Sequence, residues 1–332
     1  NSSLPAANLT GTVADARIST LTSSKLSGAL PAISGANLTG LPAGGSNPNL
    51  IINGSMQVAQ RSTSTVAQAN NSNEGYATVD RWSLQFGNNA GGTITTNQDA
   101  ESPTGFGTSY KLDVTTAATA SGNELVFFTQ VIESQDMRTS GWEYTSASSD
   151  ITLSFWVKNS KTGIYCIALI NSDSGKMYTE EYTVSVADTW EKKTITIPGE
   201  ANLVFNNDAD YGLTVYFMLD NASGRQGTAG SWQSANLYGT SNQVNFLDST
   251  SNIAYYTGIK LEIGDTATDF VHKNYGEELL ACQRYYEKAY ESIVGGSDSG
   301  AAACPVFFKV EKRATPTIAY SAVYSTVHAL SK

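Results

Sequence analysis

The chain has 332 residues, 40% of them hydrophobic and only 15% charged, with a formal net charge of −10. That length calls for two or three structural units, and the apolar share excludes a disordered chain. An acidic balance without a Lys/Arg cluster excludes a nucleic-acid backbone as partner, and no apolar run approaches the roughly 20 residues of a membrane span, so neither nucleic acid nor membrane insertion is expected.

Residues 1–46 stand apart. Ala7-Asn8-Leu9-Thr10-Gly11 recurs as Ala36-Asn37-Leu38-Thr39-Gly40, and Leu4-Pro5-Ala6 recurs at Leu30-Pro31-Ala32 and Leu41-Pro42-Ala43. A single chain of this composition buries too little apolar area to offset its ordering entropy, whereas three chains wound on a common axis could bury their repeated Leu and Ile residues together. A fibre-shaft segment is expected, with a flexible linker as the alternative. No basic or apolar leader opens the sequence, and its start in mid-pattern is expected of a piece of a longer protein.

Residues 47–271 read as all-β. Ile151, Leu153, Phe155 and Val157 alternate with polar residues, Ile164, Cys166, Ala168 and Ile170 continue the period, and Leu213 to Leu219 and Tyr255, Thr257, Ile259, Leu261 and Ile263 repeat it. Period-two alternation marks strands with one face on a core, and the turn clusters Asn159–Gly163 and Asn171–Gly175 separate them. The expected fold is mainly β, a jelly-roll sandwich. Trp82 and Trp190 adjoin strand-like runs and are expected in the core. Trp156, out of phase with Phe155, is expected to face a second layer or a neighbouring subunit.

Residues 272–332 carry the one helical pattern, Tyr275 to Ile293. Leu279, Cys282, Tyr286, Ala289 and Ile293 follow an a/d spacing, Glu277 and Glu278 sit in the first turn, and Gly295-Gly296 ends the pattern. Such a seam packs either on the chain's own sandwich or on copies of itself about a three-fold axis, and the fibrous N-terminal region favours the second. Short β elements are expected at Val306–Val310 and from Thr315 to Tyr320, and the last unit ends as an incomplete one would. Cys166, Cys282 and Cys304 are too dispersed for a disulfide framework, and the first two are expected as buried thiols.

The segment Asn49-Leu50-Ile51-Ile52-Asn53-Gly54-Ser55-Met56-Gln57 is followed by Asp80-Arg81-Trp82, Thr152–Lys158, Asn245–Ser249 and Thr257–Asp265. The pattern continues through Ala267–Phe270 into Tyr275-Gly276-Glu277-Glu278-Leu279-Leu280-Ala281-Cys282-Gln283-Arg284-Tyr285-Tyr286. In this order these motifs resemble phage tail fibre proteins, especially those of marine and cyanobacterial phages; one departure is Asp269, where relatives commonly have Pro. The resemblance implies a homotrimeric virion protein for host attachment. It would be assembled in the host cytoplasm, joined to other tail proteins on its N-terminal side, and built on a sandwich similar to carbohydrate-binding modules.

Catalytic signatures are sparse. Neither His272 nor His328 stands in a metal-binding spacing, and no nucleophile elbow is present. Of the carboxylates a glycosidase would need, Glu180 and Glu181 point to opposite faces of a strand, and Asp208 and Asp210 lie in a loop whose oxygen ligands suit calcium but lack a regular spacing. No catalytic residue, cofactor or metal ligand is assigned; calcium is the ion such oxygens favour, with an ordinary solvated loop as the alternative. Sugar recognition needs aromatic faces among polar loop residues. Trp232 and Tyr238, in Gly230–Tyr238, and then Trp142 and Tyr144, in Ser140–Thr145, fit that pattern, with ordinary packing as loop anchors the alternative for each. The expectation is a non-enzymatic adhesin for a bacterial surface carbohydrate such as lipopolysaccharide, the alternatives being a depolymerase of capsule or lipopolysaccharide and a purely structural fibre segment.

Overall fold

The computed structural model describes residues 48–288 and 307–319. The chain divides into two compact units, Asn1–Gly44 and Gly45–Lys332. The shaft repeats of residues 1–46, Ala289, Ile293, Cys304 and His328 lie outside the described residues.

The described residues of the second unit form twelve strands: β1 (Val66–Gln68), β2 (Ser83–Gly87), β3 (Thr93–Asp99), β4 (Ser109–Thr116), β5 (Leu125–Glu133), β6 (Asp150–Asn159), β7 (Gly163–Asn171), β8 (Lys176–Val184), β9 (Glu191–Pro198), β10 (Tyr211–Asn221), β11 (Ser231–Gln233) and β12 (Ile253–Ile263). Among the described residues two α-helices, α1 (Ser134–Arg138) and α2 (Tyr275–Gln283), and two short 3-10 turns, Ser223–Arg225 and Phe246–Asp248, accompany them. The strands form two six-stranded antiparallel sheets, ordered β1-β3-β4-β12-β6-β9 and β11-β8-β7-β10-β5-β2. This is the expected mainly-β jelly-roll sandwich.

Between the sheets lies an aromatic core. Phe128 and Phe217 stack at 4.6 Å, Trp82 and Tyr256 pack their edges onto the pair, and Phe155 meets Phe217 at 5.1 Å. Ile151, Leu153, Phe155 and Val157 all face it, as their alternation requires.

The alternation misleads in two strands, for different reasons. In β7 the residues that reach the main core are Tyr165, Ile167 and Leu169, while Cys166 belongs to an outer cluster with Leu125 and Met218. The loop carrying Tyr238 and Thr240 covers that outer face, so both phases of β7 are apolar and alternation cannot choose between them. Burial pushes the Cys166 thiol up to about 11, as befits an inert buried cysteine. In β12 a one-residue bulge after Thr257 shifts the register against β6. Tyr256 faces the core before the bulge and Ile259 and Leu261 after it, so Tyr255 and Thr257 point outward rather than inward.

The segment Asn49–Gln57 is structural. Asn49 exchanges hydrogen bonds with the β12 backbone, accepting from Leu261 N at 3.0 Å and donating to Ile259 O at 3.0 Å. Gly54 lies so close to Ile259 O that a Cβ would stand 2.0 Å from it, which explains glycine there. Asn53 donates to the Val58 and Asp80 carbonyls, each at 2.9 Å, its carbonyl accepts from the Trp82 indole, and its amide donates to Glu278 of α2. These contacts dock α2 onto the sandwich of its own chain.

The helix ends at Gln283, not Ile293. Beyond it the side chains bind the sandwich: Arg284 reaches Glu133 through two hydrogen bonds of 2.8 and 2.7 Å, and Tyr285 donates to the same carboxylate at 2.6 Å. The Arg81 and Arg61 guanidinium groups lie over the Tyr285 and Tyr286 rings at 3.4 and 3.6 Å. Of the predicted seam, Cys282 is therefore buried against its own chain, Leu279 is half-buried, and Tyr286 has left the helix. Residues 307–319 form no strand where β elements were expected; Lys312 pairs with Glu287 and Arg313 with Asp210 instead.

Candidate binding face

The outward side of the first sheet carries the candidate site. Register places Thr257 of β12, Trp156 of β6 and Lys192 of β9 side by side, all pointing away from the core. At the bulge Gly258 adopts φ +61°, and a Cβ there would lie 2.6 Å from the Phe106 ring and 3.0 Å from Trp156. Glycine at this bulge thus lets two aromatic side chains close over the backbone.

Phe106 comes from the turn Pro103–Phe106, closed by the Phe106 amide donating to Pro103 O and by Ser102 Oγ donating to Phe106 O at 2.8 Å. Phe270 and His272 complete the cluster from the segment after β12: Phe106 meets Phe270 at 5.2 Å and His272 at 4.8 Å, and those two meet at 4.9 Å. With Trp156 they line a depression of about 180 Å³, rimmed by Thr104, Ser154, Lys192 and Asp269.

A buried ion pair holds the 264–270 segment in place. After the bulge Lys260 and Glu262 share the outward face of β12, 3.0 Å apart, with side chains 1% and 0% exposed. Lys260 donates to Thr268 Oγ1 and to Asp269 O, and Glu262 accepts from the Thr268 amide and hydroxyl. Thr152, pointing outward from β6, donates to Gly264 O at 2.7 Å. The pair thus fixes the backbone that presents Phe270.

The next outward row continues the surface. Lys111, Tyr255 and Lys158 lie abreast on β4, β12 and β6, and Trp190 packs 6.3 Å from Tyr255. Trp190 is half-buried on this outer face rather than in the core, and its indole N–H donates to Glu101 at 3.2 Å. The Lys158 ammonium and that indole hold the Glu101 carboxyl below its ordinary value. The face thus alternates aromatic rings with fixed charges, an arrangement able to cover the C–H side of a sugar ring while binding its hydroxyls.

The residues expected to bind sugar sit elsewhere. Trp142 is in the core, 3% exposed, its indole donating to Ser149 O at 2.9 Å; its loop turns inward because Phe205 supplies an apolar wall. Tyr144 packs edge-on against Phe205 at 4.9 Å. Trp232 of β11 is half-buried against Tyr178 and donates to Pro198 O at 2.7 Å, while Tyr238 packs on the outer cluster near Phe127 and Tyr216. Trp232 and Tyr144 flank the Pro198–Glu200 turn, but Tyr238 belongs to a different cluster.

Sequence pattern alone does not single out Phe106, Phe270 and His272 as a cluster. Phe106 meets the criterion applied to Trp232, an aromatic within Pro103-Thr104-Gly105-Phe106-Gly107, and the glycine inside the β12 pattern was the available sign of a bulge. Asp208 and Asp210 lie in a turn, where Asp208 Oδ1 accepts from the Asp210 amide and both carbonyls accept from α1. No cluster of three or more His, Cys, Asp or Glu side chains able to hold a metal occurs among the described residues.

The chain matches no protein-family model and no curated protein sequence. Among solved structures it is similar to the enzymatically active domain of tailspike protein 4 of Bacteriophage CBA120, at 16% identity over 65% of this chain and 21% of that one, with a TM-score of 0.33. It is also similar to a family 4 carbohydrate-binding module, at 15% identity over 64% of this chain and 98% of that one, TM-score 0.32. A third similarity is to a family 11 carbohydrate-binding module from Clostridium thermocellum in complex with a β-1,3-1,4-mixed-linked tetrasaccharide, at 14% identity over 57% and 91%, TM-score 0.32. Likenesses this distant assign neither a ligand nor a role.

Proposed function

We propose that this chain is a non-enzymatic, glycan-binding adhesin, the distal receptor-binding part of a phage tail fibre. The observation that carries the glycan assignment is the outward cluster of Phe106, Trp156, Phe270 and His272, set in a depression with a polar rim. A concavity lined by half-buried aromatic rings with a few polar groups at its rim is the usual make-up of a small-ligand site. The tail-fibre assignment rests on the ordered motifs from Asn49 to Tyr286 and on the shaft-like repeats before them. In this role the protein is a homotrimer in the virion tail, attached through its N-terminal side to other tail proteins, with a surface glycan such as lipopolysaccharide as receptor. Roughly millimolar binding at each copy suffices when three sites engage together.

A binder is favoured over a hydrolase because three of the candidate carboxylates are already engaged. Asp208 closes a turn, Glu181 accepts from Thr240 and Asn242, and Glu101 is held by Lys158 and Trp190.

The test is binding of the full chain to a glycan array and to immobilised lipopolysaccharide, comparing wild type with Trp156→Ala, Phe106→Ala and Trp232→Ala. Loss of about tenfold or more in the first two, with Trp232→Ala retained, is expected. Unchanged binding in both would remove the site, release of reducing ends would move the assignment to a depolymerase, and no binding at all would favour a structural segment. Light scattering on the same samples checks for three chains.

A further inference from the structure

A second cavity, of about 150 Å³, opens where the residues leaving α2 cross the end of the second sheet. Tyr76, Arg81, Val131, Tyr211, Tyr285 and Arg313 are among its walls, and it shares no residue with the aromatic depression. Its size fits one compact residue rather than a chain.

The charges around it nearly cancel, and the remainder is informative. Arg61 lies 3.6 Å from Asp80, Arg284 is bound by Glu133, and Arg313 stands 3.8 Å from Asp210. Arg81 has no carboxylate at ion-pair distance among the described residues; Asp136, within its electrostatic reach, is exposed and is held above its ordinary value by desolvation and the charge of Glu133. Yet Arg81 is only 5% exposed. Its guanidinium lies under the Tyr285 ring and donates to Val131 O, while Nε is buried without a hydrogen-bond partner among the described residues. A buried donor left unpaired is costly, more so on a charged group, unless something fills the place. The backbone at Arg81 is also left-handed, φ +73°, a conformation that bulky residues seldom adopt.

We propose that this cavity binds the carboxylate of a single acidic sugar residue. A planar guanidinium with a donor to spare pairs with an oxyanion that sets two oxygens against its fork, and of the groups that do so the singly charged carboxylate of an acidic sugar also brings a ring for the tyrosines at the rim. Tyr76 and Tyr211, both substantially exposed at the rim, offer ring faces and hydroxyls to the remainder of the sugar. Arg313, 5.6 Å from the Tyr211 ring, adds a donor on the same side.

The experiment titrates the full chain with D-glucuronate, D-glucose and inorganic phosphate by calorimetry. Saturable binding of glucuronate, about tenfold or more tighter than either competitor, is expected. Arg81→Lys, which keeps the charge but loses the fork, and Tyr211→Ala, a rim change that leaves the core alone, should each weaken it severalfold, while Trp156→Ala should leave it unchanged. Near-ultraviolet circular dichroism checks that each variant is folded, and Tyr211→Ala decides if Arg81→Lys is not. Equal affinity for glucose, tighter binding of phosphate, no saturation, wild-type affinity in folded variants, or loss in Trp156→Ala would each overturn the assignment.

Discussion

Replacing Lys260 by methionine tests how the binding face is held. Lys260 and Glu262 are 3.0 Å apart and essentially unexposed, so removing the cation leaves a carboxylate in a dry site, held among the described residues by the Thr268 amide and hydroxyl. Breaking a buried pair from one side costs about 3–5 kcal/mol, whereas replacing both members by apolar groups is often neutral or stabilising. At about 2–4 °C per kcal/mol for a domain of this size, Lys260→Met should lower Tm by roughly 6–20 °C, and Lys260→Met/Glu262→Leu should recover most of the loss. The double change also removes the bonds to Thr268 and Asp269 O, so glycan binding should stay impaired after stability returns. Scanning calorimetry gives the stability cycle, and the array assay gives binding. If the single variant costs under about 1 kcal/mol, or if the double variant binds like wild type, the pair does not position Phe270 and the reasoning fails.

Gly258→Ala forces a Cβ to within 2.6 Å of the Phe106 ring at a left-handed position, for a backbone cost of about 1–2 kcal/mol before the ring moves; differential scanning should read a loss of at least that size, with glycan binding reduced alongside it. Trp232→Phe removes the hydrogen bond to Pro198 O and should cost about 1 kcal/mol in urea unfolding without changing glycan affinity. Burial alone would raise the Glu133 carboxyl, but hydrogen bonds from Arg284 and Tyr285 outweigh it and leave its pKa below the ordinary value. A depressed folded pKa contributes stability that is present above the unfolded value, about 4.3, and is lost as pH falls through the folded one. Tm measured from pH 6 downward should therefore fall more steeply below about pH 4.3 in wild type than in Glu133→Gln.

The sequence determined the class of fold and much of its core. Ile151, Leu153, Phe155 and Val157, like Leu213, Val215, Phe217 and Leu219, all face the main core, so period two assigns their sides, although Tyr216 and Met218 on the other face of β10 are covered by the outer cluster. It also carried the motifs that dock α2, since Asn53, Gly54 and Glu278 answer to backbone geometry and partners that only those residue types satisfy.

Tertiary structure decided the rest. Both faces of β7 are covered, so its alternation held no phase, and the extra residue in β12 reversed inside and outside midway along one strand. The helix stopped at Gln283 because Arg284, Tyr285 and Tyr286 bind Glu133, Arg81 and Arg61, all more than a hundred residues away in sequence. The binding face followed from the same cause. Phe106, Trp156, Gly258 and Phe270 are distant along the chain and meet only through strand register and a buried ion pair, and neither leaves a local pattern to read.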